Sequence, residues 1–300
     1  MTLFRLPLLL LAFAALAPGQ VEFFHVTDTH VLDATGLHPS IVEQRKHLEQ
    51  STANLQSLIR SLNDAGPAFV LITGDLIDGI SFPDAGGGTR TGQIEHFTRI
   101  VDASPVPVYL VLGNHDVQRY KADPGASKPA GSDAAAAEDR AAWRAAAPCF
   151  RDGTYYAFQQ KAGATTYRFL VLDNSSVKDR VYAEAQYRWL ETQIRQAGDD
   201  PIVVALHIPL DNSAASAPIR NLLARAANPA LVLCGHRHSD AIEELSLGDH
   251  SVTQVRTAIF GTDSTHVRAI RLFEDHVEIG ATGRRGSTLH TVALKLVPVH

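Results

Sequence analysis

Sulfur is scarce in this 300-residue chain, which has one Met and two Cys. Cys149 and Cys234 can pair only in an oxidising compartment, and nothing in the sequence places them close together. Cys234 ends the apolar run Ala230 to Leu233 and reads as a small buried hydrophobe. Basic charge is also short: 27 Lys and Arg stand against 32 Asp and Glu, a net charge of -5. That leaves no basic footprint and argues against nucleic-acid binding. No amphipathic basic helix is available for docking on a membrane, and no internal repeat is present. Apolar content of 45% and charged content of 20% fit an ordinary globular protein. The length allows one large domain or two small ones. Against these shortages stand 14 histidines. Imidazole is a common ligand of transition metals, so the surplus raises the prospect of a metal site.

Arg5 precedes the uncharged apolar run Leu6 to Ala17, and Ala17-Pro18-Gly19 offers small residues before Gln20. A basic start and an apolar run of this length form the pattern of a secretory signal, and the run is short for a membrane span. The expectation is a signal peptide over 1–19, an exported (periplasmic or secreted) protein, and no stable membrane insertion after cleavage. No Cys follows the run to carry a lipid.

From there the chain alternates strands and helices. Glu22 to Thr27, Ala68 to Ile72, Pro107 to Leu112, Tyr155 to Gln159, Tyr167 to Leu172, Pro201 to Leu206 and Ala230 to Leu233 read as strands. Ser40 is placed to cap a helix running to about Asp64, whose Leu48, Leu55, Leu58, Ile59 and Leu62 share one face. A Gly-rich loop over Gly79 to Gly92 precedes a helix ending near Val101. The stretch Val117 to Ala147 reads as an insertion leading into a helix near Trp143. A further helix carries Tyr187, Leu190 and Ile194 on one face. Continuous apolar strands between helices predict a parallel sheet covered on both faces. After Asp240 strand follows strand, which predicts a second, more antiparallel sheet packed on the first.

Five of these strands run straight into polar residues. Val26 leads to Thr27-Asp28-Thr29-His30, and Ile72 to Thr73-Gly74-Asp75-Leu76-Ile77-Asp78. Leu112 leads to Gly113-Asn114-His115-Asp116, Leu206 to His207, and Leu233 to Cys234-Gly235-His236-Arg237-His238. Ligands of open α/β sheets bind beyond the carboxyl ends of strands, so one edge would collect all five groups. Asp28 and His30 lie two apart, as do His236 and His238, which puts each pair on one side of an extended segment. Arg237, between two of these histidines, would point away. Carboxylate, imidazole and amide oxygen suit manganese, iron or zinc rather than thiolate-seeking metals. An aspartate can bridge two such cations. The glycines at 74, 113 and 235 permit tight turns or close backbone approach, including approach to a phosphate.

The order Asp-x-His, Gly-Asp-x-x-Asp, Gly-Asn-His-Asp, His, Gly-His-x-His resembles the signature of the calcineurin-like metallophosphoesterases, from Asp28 to His238. The resemblance implies an α/β fold, a two-sheet β-sandwich flanked by helices, over 20–300. It implies two divalent or Fe/Mn/Zn-type metal ions. Asp28, His30, Asp75 and His238 would hold the first; Asp75, Asn114, His207 and His236 the second, with Asp75 as bridge. It implies hydrolysis of a small phosphate ester by a hydroxide held between the metals. His115 would protonate the leaving group without being a ligand, and Asp78 would pair with it. Asp116 would brace its turn.

Purple acid phosphatases place a tyrosine soon after the Gly-Asp block, where this chain has Leu76, Ile77 and Asp78. Protein serine/threonine phosphatases carry arginines near the positions of Gly79 and Val117. The Gly-His-Arg-His ending is more similar to the bacterial cyclic-nucleotide phosphodiesterase branch, so a phosphodiester such as a 3′,5′-cyclic nucleotide is the expected substrate class. An exported phosphomonoesterase or nucleotidase is the alternative, and a catalytically silent metal-binding scaffold is a third reading.

Overall fold

The computed structural model describes residues 19–121, 130–175 and 183–295. The expected signal segment lies outside them except for Gly19, as does part of the expected insertion, 122–129.

In chain order the first half contains β1 (Val21–Val26), α1 (Pro39–Gln44), α2 (Ser51–Ala65), β2 (Val70–Thr73), β3 (Phe82–Pro83), β4 (Thr89–Arg90), α3 (Gln93–Val101) and β5 (Val108–Val111). Then come β6 (Arg119–Lys121), β7 (Ala130–Ser132), α4 (Ala136–Ala146), β8 (Tyr156–Ala162), β9 (Thr165–Val171), α5 (Glu184–Ala197) and β10 (Ile202–Ala205). The chain continues through α6 (Ala217–Leu223), β11 (Pro229–Cys234), β12 (Ala241–Ser246), β13 (Ser251–Arg256), β14 (Arg268–Leu272), β15 (His276–Ile279) and β16 (His290–Ala293).

Two six-stranded sheets form, in the orders β16-β15-β14-β1-β2-β5 and β12-β13-β11-β10-β9-β8. The strands β1, β2 and β5 pair in parallel, as do β9, β10, β11 and β13, while antiparallel strands occupy the remaining places. The alternation of a strand sorts its side chains between two cores. Phe23, Leu71, Phe169, Val203 and Leu231 fill the space between the sheets. Their neighbours Phe24, Val70 and Ile72 meet α2 and α3 on one outer face. Leu170, Val204 and Val232 meet α5 and α6 on the other. Burial on both faces explains why these strands read as unbroken apolar runs. The expected two-sheet sandwich flanked by helices is therefore present.

Three expectations change. The strands after Asp240 do not form a sheet of their own: β12 and β13 complete the second sheet, and β14, β15 and β16 extend the first beside β1. Each sheet is thus mixed, because an apolar antiparallel strand can close the edge of either core. The helix expected from Ser40 to Asp64 is broken into α1, a 3-10 turn at Lys46–Leu48, and α2. The His38 side chain, not Ser40, caps it, accepting from the Ser40 N–H, with Pro39 in the first turn. The Gly-rich loop contains the β3–β4 hairpin. Cys149 and Cys234 are both free and pack in the two opposite outer layers. Among the described residues no helix is long and apolar enough to cross a membrane.

Candidate metal centre

The strands β1, β2 and β5 end beside β10 and β11, so the polar blocks expected at one sheet's edge come from both sheets. Hydrogen bonds stitch the two sets together: Nδ1 of His207 lies 2.9 Å from the Thr73 carbonyl, and the His236 N–H donates to Asp28 Oδ2 at 2.9 Å.

All seven expected ligands converge. Asp28 Oδ1 lies 3.3 Å from His238 Nε2 and 3.8 Å from His30 Nε2. His30 Nε2 is 3.4 Å from His238 Nε2 and 3.6 Å from Asp75 Oδ2. Asp75 Oδ2 is in turn 3.2 Å from His207 Nε2, which is 3.2 Å from Asn114 Oδ1. His236 joins Asp75 and His207 in this second group. Asp75 therefore belongs to both groups.

Three features show that these donors fit cations. Asp28 Oδ1 is fully buried and faces only the imidazole nitrogens of His238 at 3.3 Å and His30 at 3.8 Å, a buried carboxylate oxygen whose neighbours are themselves metal-donor atoms. The donor set of imidazole nitrogens and carboxylate and amide oxygens suits manganese, iron or zinc. Among the described residues the only non-glycine residues with positive φ are Asp28 (51°), His30 (41°), Asp75 (48°), His236 (69°) and His238 (55°). Every one is a candidate ligand. Left-handed backbone is uncommon outside glycine, though Asp and His enter it more readily than most residues, and its concentration on these five aims their side chains at one site. It also corrects the sequence picture of ligands on a simple extended segment.

Electrostatics in the protein alone point the same way. Burial pulls the His207 imidazole down, but the Asp75 and Asp28 charges outweigh it and lift its pKa to about 9. Burial likewise opposes protonation of His115, yet Asp75 and Asp78 raise it to about 10. Burial raises Asp75, while His207 and His115 hold it well below the usual carboxylate range. The histidines supply the positive charge that the buried carboxylates demand.

The groups behind the ligands are fixed. Thr27 Oγ1 donates to Asp28 Oδ2 at 2.7 Å. The Asn174 side-chain oxygen accepts from the N–H groups of His207 and Ile208. Asp116 braces its turn as expected, accepting from the N–H groups of Leu76, Ile77 and Gly113, while Trp143 Nε1 donates to its carbonyl. Burial and the nearby Asp75 push the Asp116 carboxyl up to about 7. All three glycines admit protein rather than substrate: a Cβ at Gly74 would strike the His207 side chain. A Cβ at Gly113 would strike Asp75, and one at Gly235 would strike Thr27 and Asp28. Arg237 is exposed and borders a polar hollow lined by Pro209 to Asn212.

His115 and Asp78 stand beside the ligands. His115 Nδ1 is 2.9 Å from the Asp78 carbonyl and 3.5 Å from Asp78 Oδ1. Asp78 Oδ1 is also 3.4 Å from His30 Nδ1. Two neighbours escaped the sequence reading. Arg45 Nε lies 2.7 Å from Asp78 Oδ2, and the Tyr120 hydroxyl is 3.2 Å from His115 Nδ1. Arg45 fell within an expected continuous helix and Tyr120 within an expected loop, so neither carried a signal.

The profile of the calcineurin-like phosphoesterase family matches residues 21–240. No curated protein matches the chain in sequence. A dimetal phosphatase from Danio rerio shares the fold with a TM-score of 0.62 at 16% identity, covering 92% of this chain and 99% of its own. GAP50 of Plasmodium, described as the anchor in the inner membrane complex, gives 0.54 at 13% identity over 93% and 90%. A purple acid phosphatase from yellow lupin (Lupinus luteus) gives 0.52 at 13% identity over 92% of this chain and 54% of its own. With the family profile covering most of the chain and the ligand cluster assembled, the chain belongs to the calcineurin-like phosphoesterase family and is a metal-dependent phosphoesterase of the kind that uses two metal ions.

Proposed function

We propose that the protein hydrolyses phosphodiesters, 3′,5′-cyclic nucleotides among the candidates, at a centre held by Asp28, His30, Asp75, Asn114, His207, His236 and His238. The observation that carries this reading is Asp75 Oδ2, which faces His30 on one side and His207 on the other. In this reading Asp28, His30, Asp75 and His238 hold one ion, and Asp75, Asn114, His207 and His236 the other. When bound, such ions acidify a water and neutralise phosphoryl oxygens.

The chain's own residues do the rest. The carbonyls of Thr73 and Asp78 can only accept, so Nδ1 of His207 and of His115 must carry the proton. Nε2 of His207 is then the donor atom of a ligand. Nε2 of His115 is free to give a proton to the leaving oxygen, which an alkoxide leaving group needs. Asp78 steadies both His30 and His115 through Oδ1. A diester is favoured over a monoester by charge. Arg45 is paired with Asp78 at 2.7 Å rather than offered to the second negative charge of a monoester, which supports the diester reading.

Export is part of the proposal, supported by Arg5 and the apolar run Leu6 to Ala17. It favours a scavenging diesterase over an enzyme of a cytoplasmic signal. Detection of the protein only in the cytoplasm, with its first residues intact, would remove this part.

The test is hydrolysis of bis-p-nitrophenyl phosphate beside p-nitrophenyl phosphate by manganese-loaded protein, with Asp75→Ala and His115→Ala as controls. Diester preference lost in Asp75→Ala supports the proposal. Monoester preference moves the function to a phosphatase or nucleotidase. Bound metal with no turnover of either points to a scaffold.

A further inference from the structure

The segment from residue 40 to 65 contains neither Gly nor Pro and has a helical apolar face, yet its helix breaks after Gln44. A locally helical sequence that fails to stay helical usually answers to a functional site. Here the break turns Arg45 inward. Its Nε meets Asp78 Oδ2 at 2.7 Å, and its guanidinium lies 5.0 Å above the Tyr120 ring. Tyr120 stacks on Phe82 with centroids 5.0 Å apart and planes at 7°. Leu32, Leu37, Ile41, Phe82 and Tyr120 form a small apolar cluster separate from the three main cores. Ile41, one turn before Arg45, anchors α1 in that cluster, so the arginine is fixed from both ends.

Both arms of this cluster end on one imidazole. Arg45 holds Oδ2 of Asp78, a side chain only 2% exposed, and thereby turns Oδ1 between His30 and His115. The Tyr120 hydroxyl reaches His115 Nδ1 directly at 3.2 Å. Burial keeps the Tyr120 phenol protonated well above its usual range, so its oxygen can share the Nδ1–H with the Asp78 carbonyl. An imidazole anchored along one edge has one rotation left, about the Cβ–Cγ bond, and these contacts remove it.

Resting on the proposed role of His115, we infer that Arg45 and Tyr120 are positioning residues that fix the His115 imidazole for proton delivery to the leaving group, Arg45 through the Asp78 carboxylate and Tyr120 by direct contact. Neither touches a metal-ligating atom. Their effect therefore scales with how much the leaving group needs a proton.

The test uses manganese-loaded full-length protein with two methyl aryl phosphates, one losing p-nitrophenol and one losing unsubstituted phenol. For Arg45→Met and Tyr120→Phe the expected result is a fall in kcat on the phenyl ester at least about ten-fold larger than on the nitrophenyl ester, the scale seen for residues behind reactive groups. KM and metal content stay near wild type, and Arg45→Lys recovers part of the loss. Tyr120→Phe keeps the ring stacked on Phe82, so it separates the hydroxyl from folding. Equal losses on both esters, or loss of metal in step with activity, would overturn the inference and reduce Arg45 to a support for His30. If wild type hydrolyses neither ester, the functional reading fails on its own. The His115 Nδ1–H resonance then decides the positioning role: slow solvent exchange that becomes fast in both variants upholds it, and unchanged exchange refutes it.

Discussion

The main-chain N–H of His115 donates to Oδ1 of Asp75 at 2.8 Å. The same carboxylate presents Oδ2 to the ligands of both groups. One side chain therefore sets the spacing of the ligand groups and the placement of the residue that follows Asn114.

Asp75→Asn keeps the shape and the positive-φ tolerance of an amide side chain but removes the charge. Residues behind metal ligands are worth about 10–100-fold in affinity or activity. Loss of the shared ligand is expected to exceed that range in kcat and to lower metal content at both positions. Metal analysis beside steady-state kinetics checks this. A variant that retains a full metal complement and activity within ten-fold of wild type would show that Asp75 is not shared.

Gly235 admits no side chain, because a Cβ would overlap Thr27 Oγ1 and Asp28 Oδ2. Gly235→Ala is expected to destabilise the fold by about 1–3 kcal/mol, the usual scale of overpacking, and to weaken metal binding through displaced Asp28. Gly36 has open space around it, but its φ of 73° makes it a control for backbone strain without a clash. Urea unfolding of Gly235→Ala and Gly36→Ala separates the two effects; equal destabilisation with intact metal binding would count against the clash.

Proton linkage gives a prediction that needs no substrate. In metal-free protein His207 and His115 are raised to about 9 and about 10, above the ordinary 6.5. A raised histidine contributes stability below its unfolded pKa and loses it as pH rises through the folded one. Metal-free protein should therefore lose stability between about pH 7 and pH 10. Metal uptake requires neutral imidazole, so loading at pH 7 should release protons, and apparent affinity should climb toward pH 9. Calorimetry in buffers of different ionisation enthalpy reads the protons. Metal binding with no proton release would contradict the arrangement.

Much of the candidate site was legible because each block of candidate ligands follows an apolar strand. Asp28, Asp75, Asn114, His207 and His236 all sit within a few residues of a strand end. The sandwich was legible for a related reason: strands covered on both faces read as continuous apolar runs. The division of the late strands was not legible, since Val252 or Ile270 would suit either sheet by pattern alone and only pairing decides. Positive φ at Asp28, His30, Asp75, His236 and His238 was invisible too, because these residue types do not announce left-handed backbone as glycine does. Arg45 was missed because its contact with Asp78, 33 positions away, depends on a helix break that periodicity does not show, and Tyr120 because the stretch after Val117 read as a loop with no fixed contact to His115.

Two metal ions sharing Asp75 would show themselves when metal-free protein is titrated with manganese while bound metal and diester hydrolysis are both followed. About two ions per chain are expected, with activity appearing as the second site fills, and both lost in Asp75→Ala. Saturation at one ion with full activity, or hydrolysis that survives chelation, would contradict the shared pair.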